Sequence, residues 1–125
     1  MKLPSIKEEK FAIETNLSEE GEEKAINIAM RGEVNMLDPF PVLNTFFTQV
    51  HDYACSSSVP LVKVDLKMLK FINSSGIKVI INWIRLMRRE NVYNIHFICD
   101  ATRTWQKLSF SVLKSLAMDR ISFEY

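Results

Sequence analysis

Between Leu61 and Lys67 apolar and polar residues alternate, with Val62, Val64 and Leu66 set against Lys63, Asp65 and Lys67. A period of two is the mark of a strand with one buried face. A short apolar pair, Phe71 and Ile72, leads into Asn73-Ser74-Ser75-Gly76, and there the period changes. Ile77, Ile80, Ile81, Ile84 and Met87 recur at helical spacing as far as Glu90. The stretch therefore predicts a strand, a tight polar turn and a helix. The apolar arc of this helix is wide, with Val79, Trp83 and Leu86 on one flank and a narrow polar strip of Lys78, Asn82, Arg85 and Arg89. Such an arc fits a helix wedged between two others, or one whose flank docks a partner.

The same patterns organise the rest of the chain. Residues 1–10 are mixed and charged and read as a loosely held start, so the domain is expected over 11–125. Phe11 to Glu14 is a short strand candidate, and the acidic run 16–23 reads as a solvated turn around Gly21. Ile26, Ile28 and Met30 alternate with polar neighbours and predict a strand over 25–31. Asp38 followed by Pro39 is a helix start, and Leu43, Phe46, Phe47 and Val50 carry that helix to about Cys55. Ser56-Ser57-Ser58 and Pro60 end it. An apolar strand run follows at 95–99. A third helix has Trp105, Leu108, Val112, Leu113 and Leu116 as its expected buried face. A turn at Met118-Asp119-Arg120 leads into a last strand over 121–125. The order β-β-α-β-α-β-α-β implies an α/β domain with a mixed central sheet of about five strands and three helices packed against it.

The 125 residues suffice for one core, and 47% apolar with 25% charged residues is a globular balance. A net charge of +1 gives no bulk attraction to nucleic acid. No apolar run approaches the roughly 20 residues a membrane span needs, and the start has no apolar signal core, so a cytoplasmic protein is expected. Cys55 and Cys99 read as two reduced thiols. His51 and His96 lie in no sequence context that supplies a nucleophile, a second ligand or a phosphate cradle, so neither catalysis, a metal nor a cofactor is expected. Arg85, Arg88, Arg89 and Lys78 form a basic helix face, either simply solvated or turned to an acidic partner; Arg103 and Lys107 would extend it if the third helix packs alongside.

Three segments together resemble the STAS domains of bacterial anti-sigma-factor antagonists. Val64-Asp65-Leu66 followed by Phe71-Ile72-Asn73-Ser74-Ser75-Gly76-Ile77 is similar to the family's strand, apolar pair and Asp-Ser-Ser-Gly or Asp-Ser-Thr-Gly turn. Gly32-Glu33-Val34-Asn35 resembles its Gly-Glu-Leu-Asp, and Asp119-Arg120-Ile121-Ser122-Phe123 its closing strand. The resemblance covers roughly residues 11–125. It implies a regulatory protein that binds an anti-sigma factor or a serine/threonine kinase, is phosphorylated on Ser74 (with Ser75 as the second choice) and is reset by a phosphatase. The implied partner-binding face comprises Asn35, Met36, Asn73, Ser75, Gly76, Lys78 and Asn82.

Read on its own, Ser74 at a helix start would cap free amides and stabilise the helix by about 1 kcal/mol. The same amides and the helix dipole favour a phosphate there. Two residues depart from the family pattern: Asn73 and Asn35 stand where it has aspartates. Asparagine retains turn-forming ability but not charge. Either phosphotransfer is weakened and the domain binds constitutively, or a kinase indifferent to those carboxylates acts here. A non-phosphorylated accessory subunit, such as the small STAS component of a lipid-transporting ABC assembly, is the alternative.

Overall fold

In the computed structural model, residues 2–21, 23–116 and 119–125 are described; Glu22 of the expected acidic turn and Met118 of the expected last turn lie outside them. The elements are β1 (Ile6–Lys7), β2 (Phe11–Glu20), β3 (Glu23–Val34), α1 (Phe40–Ser56), β4 (Leu61–Ile72), α2 (Ser74–Glu90), β5 (Asn94–Ile98), α3 (Thr104–Lys114) and β6 (Ile121–Glu124). Strand order in the sheet equals sequence order. β1, β2 and β3 are antiparallel, and β3 to β6 are parallel. The sheet thus has six strands rather than about five. The addition is β1, where Ile6 and Lys7, within the segment expected to be loosely held, pair with Ile13 and Ala12.

The hairpin β2–β3 is longer than its apolar alternation suggests. Its polar half ladders through the backbone as far as Glu20 opposite Glu23, and Gly21 turns at φ +64. Three parallel crossovers all step the same way across the sheet. Right-handed connections therefore put α1, α2 and α3 on one face. Ile26, Ile28, Val62, Val64, Ile95 and Phe97 line that face and form one core with the helices. The opposite face is polar: Asn16, Asn27, Lys63, His96 and Ser122 are register partners in a continuous row across five strands.

β4 departs from simple alternation. Its register against β3 slips twice, between Ala29 and Arg31 and between Gly32 and Glu33. These bulges turn Leu66, Leu69 and Ile72 inward at a spacing of three and leave Met68 and Phe71 outside. β5 pairs with β4 only as far as Asp65. Beyond it the open edge of β4 is held by α3: Arg103 Nε donates to Lys67 O (3.3 Å), and Gln106 Nε2 donates to Leu66 O (2.7 Å) and Leu69 O (3.1 Å). This attachment sets the rotation of α3. Gln106, Phe110 and Leu113 face the core, whereas Leu108 and Val112, expected to be buried, are 74% and 54% exposed.

The apolar flank of α2 is covered, not free. Val79 and Trp83 are buried, and the Trp83 ring stacks on Phe47 of α1 at 4.6 Å between centroids. Beneath this contact runs a buried polar chain. Trp83 Nε1 donates to Tyr93 Oη (2.9 Å), which lies 2.7 Å from His51 Nδ1, and His51 Nε2 lies 3.6 Å from Cys55 Sγ. The indole can only donate, so the tyrosine hydroxyl accepts from it; the hydroxyl proton has no other acceptor among the described residues and goes to an unprotonated Nδ1. That places the histidine proton on Nε2, facing the thiol.

Burial lowers the pKa of His51 from its ordinary 6.5, partly offset by Asp52 and Glu90. Between that lowered value and about 6.5 the unfolded chain holds a proton that the folded chain does not. Stability is thus complete above about pH 6.5 and is lost as the pH falls through the folded pKa, with a slope bounded by about 1.4 kcal/mol per pH unit. Thermal melts from pH 7.5 to 5 should show this decline, and His51→Gln should flatten it; an equally steep decline in the variant would assign the effect to other groups.

Candidate functional site

The carboxyl ends of β3 and β4 bring the sequence motifs together. Gly32, on β3 opposite the second bulge of β4, has φ +88, and a Cβ there would lie 2.2 Å from the carbonyl oxygen of Lys10. Only glycine combines that backbone with so close a neighbour. The chain leaves β3 through Asn35 and Met36, passes Leu37, and enters α1. Asp38 Oδ1 faces the amide of Phe40 at 3.4 Å, and the first turn closes from Leu43 N to Pro39 O, one residue later than the sequence suggests.

At the end of β4, Asn73 N donates to Val34 O (2.9 Å), joining the two strand ends. Asn73, and not Ser74, is the N-cap of α2: its Oδ1 accepts from Gly76 N at 2.9 Å. Its Nδ2 donates to Met36 O, also at 2.9 Å. This second bond explains the asparagine, since a carboxylate could accept from Gly76 but could not donate to Met36. The Asn73 side chain is therefore a clamp between the β3–α1 loop and the start of α2.

Asn73→Ala should cost about 1–2 kcal/mol, the sum of a lost cap and a lost loop tie. Asn73→Asp should cost less, because the cap survives, yet should release the loop. Denaturant midpoints and amide exchange at Leu37 and Asp38 would check both; unchanged exchange in Asn73→Asp would remove the clamp from the account.

Ser74 is the first residue of α2 and is exposed; its hydroxyl has no hydrogen-bond partner among the described residues. Ser75 is half-buried. Gly76 is buried, with Ile72 Cγ1 2.6 Å from where a Cβ would stand, so it serves close packing of α2 on β4. Lys78 and Asn82 are exposed one and two turns along the same stripe as Ser74. Asn35 is exposed in the neighbouring loop, and Met36 is half-buried against the core. The structure thus gathers Ser74, Asn73, Asn35 and Met36 at one rim, with Lys78 following and Asn82 about 12 Å along the helix from Ser74.

The segments that lead into the rim also carry apolar side chains whose exposure the sequence did not signal. Leu37 is 99% exposed, and Phe40 and Phe71 are close to half exposed. Leu37, just before Asp38-Pro39, looks in sequence like a residue that staples onto the helix it precedes. Phe71 is the outward neighbour of buried Ile72, the two bulges together restoring the alternation that begins at Val62.

Other chemistry is sparse. Among the described residues no group of His, Cys, Asp and Glu is placed to hold a metal ion, and no helix is long and apolar enough to cross a membrane. Burial pushes the Cys99 thiol up to about 11 and also raises that of Cys55, so neither is an activated nucleophile. His96 is engaged on the open sheet face, with Nδ1 2.6 Å from Ser122 Oγ and Nε2 3.3 Å from Glu124.

Comparison with solved structures places this architecture. An anti-sigma factor antagonist from Mycobacterium paratuberculosis superposes with a TM-score of 0.57 at 17% identity, over 88% of this chain and 85% of that one. The Bacillus cell fate determinant SpoIIAA, in its phosphorylated form, gives 0.56 at 14% identity over 90% and 92%. An uncharacterised protein from Shewanella loihica PV-4 with a SpoIIAA-like fold gives 0.62 at 10% identity over 94% and 89%. No protein-family model and no curated protein matches the sequence. The domain is STAS-like, with the SpoIIAA fold; at these identities the likeness is one of fold.

Proposed function

We propose that this chain is a non-catalytic regulatory module that binds a protein partner through the rim around Ser74, and that phosphorylation of Ser74 releases the partner. The observation that carries this reading is an exposed hydroxyl without a hydrogen-bond partner among the described residues at the start of α2, beside a loop that Asn73 ties to that start through Met36 and that carries the exposed Leu37 and Phe40. An exposed apolar cluster rimmed by polar groups is how a binding surface presents itself. Phosphate on Ser74 would bring nearly two negative charges to that surface. The helix start tolerates them, so the fold would persist while an apolar partner surface facing the phosphate would be desolvated against charge. An anti-sigma factor or a serine/threonine kinase is the partner class the STAS resemblance supplies, with a phosphatase to reset it, in a cytoplasmic setting.

One observation favours a second reading. Asn73 is committed to Met36 and Gly76 and brings no carboxylate to the acceptor. A module of this fold that is never phosphorylated, such as the accessory subunit of a lipid-transporting ABC assembly, would need none.

Peptide mass spectrometry on protein from its native cells separates the two, with Ser74→Ala as control. Phosphate on Ser74 is the expected result. Its absence under every growth condition would remove the switch and leave a constitutive module. Leu37→Ser should weaken partner capture in either case.

A further inference from the structure

The basic residues of α2 are not absorbed by the rim around Ser74. Arg88 and Arg89 lie fourteen and fifteen residues beyond Ser74, about 21 Å along the helix. Arg88 Nη1 donates to Leu116 O at 2.6 Å, which ties the segment just past α3 to the last turn of α2. Across α2 and α3 there are six basic residues and one acidic residue, Glu90. Lysine and arginine outnumber acids eleven to five over residues 61–125, whereas acids lead ten to five over residues 1–60. The near-neutral total thus conceals two oppositely charged halves. Among the described residues Arg85, Arg89, Lys107 and Lys114 form no ion pair, and Arg85, Arg88 and Arg89 line a shallow depression.

Helical rotation of about 100° per residue arranges α3 beside them. Trp105 and Ser109 are half-buried on one flank of α3, and Lys107 and Lys114 are exposed on the other; Leu116, just past the helix, is where Arg88 of α2 reaches across. Leu108 and Val112, an exposed i, i+4 pair, lie on the outer surface between. The surface therefore runs from arginines on one helix, across two exposed aliphatic side chains, to lysines on the next.

We propose that this α2–α3 surface is a second docking site, for an acidic amphipathic helix of a partner protein. Charge complementarity selects the acidic side of the occupant. Arginine pairs with carboxylates in a fixed fork. Two aliphatic anchors at i, i+4 match the apolar stripe of a helix laid against them. An anionic membrane fits less well, because two aliphatic side chains and no exposed aromatic give little to insert. Nucleic acid lacks stacking partners here.

The test titrates a labelled synthetic helix, leucines at i, i+4 and i+7 with glutamates between, against the full chain by fluorescence anisotropy. A scrambled peptide of the same composition and vesicles containing phosphatidylglycerol run in parallel. Wild type should bind the ordered peptide more tightly than the scrambled one, with NMR shifts confined to α3 and the second half of α2. Arg85→Glu with Arg89→Glu should weaken binding about tenfold or more at low salt, and Leu108→Ser should weaken it without changing the melting temperature. At about 0.1 M salt Ser74→Asp should leave binding unchanged, since the added charge is then about two Debye lengths from Arg88 and Arg89. Equal binding of the scrambled peptide, indifference to the arginine reversals, vesicle binding without peptide binding, or shifts mapping to the Ser74 rim would each overturn the proposal. None of these bears on phosphorylation of Ser74.

Discussion

Gln106→Leu is expected to destabilise the domain by about 3–5 kcal/mol, a large fraction of what a domain of this size possesses. Gln106 is fully buried, and its three hydrogen bonds are all to backbone: two donated to Leu66 O and Leu69 O, one accepted from Asp100 N at 2.9 Å. Leucine fills nearly the same volume, so the loss reports polar groups and not a cavity. The two carbonyls belong to the length of β4 that extends past β5 and has no strand on that side. With the amide gone they are shut away from water unpaired, at about 1–3 kcal/mol each. Gln106→Glu should be worse at neutral pH and should recover on acidification, because only a protonated carboxyl can donate to a carbonyl. Urea unfolding followed by circular dichroism would measure both. A Gln106→Leu midpoint within about 1 kcal/mol of wild type would mean that α3 is not held by these bonds.

Gly32→Ala should cost about 3 kcal/mol or more, from a positive φ that alanine resists and a Cβ driven into backbone. The obstruction is the carbonyl oxygen of Lys10, with Phe11 Cα at 2.9 Å, and neither is the free end of a side chain that could swing aside. Relief would require β2 to move from β3 at Phe11, whose register partner is Gly32. Glu33 N donates to the same Lys10 oxygen at 2.9 Å, so that bond would be lost too. The remedy is local: Gly21→Ala, at the open tip of the same hairpin with nothing within 4 Å of its Cβ position, should cost only its backbone strain, about 1–2 kcal/mol. Similar losses at the two positions would show that the close approach at Gly32 adds nothing.

The alternation of β3 and β4 and the helical spacing of α1 and α2 were legible because each element buries one face against a single core, and burial writes itself into the sequence as a period. Gly32 and Asn73 were visible as motif members, but their reasons were not, since both depend on a neighbour distant in sequence: Lys10 for one, Met36 for the other. The bulges of β4 were hidden because the first inserts a residue and shifts the parity, so that Met68 looks inward and Leu69 outward until the second restores the alternation at Phe71 and Ile72. Gln106 hid more completely. A glutamine among apolar residues reads as a solvent position until the unpaired edge of β4 is seen. Its inward turn then carries Leu108 and Val112 outward, against their periodicity. At the candidate site, the serine, the glycines and the asparagines could be assembled from sequence, whereas the exposed Leu37, Phe40 and Phe71 required knowing which way the loop and the bulged strand face.

Strand order that equals sequence order has a consequence for how the chain is made. Each of β2 to β6 adds to the edge left by the strand before it, and none inserts between two already paired. A ribosome delivering the chain from its N-terminus can therefore extend a sheet strand by strand, closing one crossover at a time over short loops. The antiparallel hairpin, with the most local pairing, emerges first and offers the edge on which the slower parallel strands assemble.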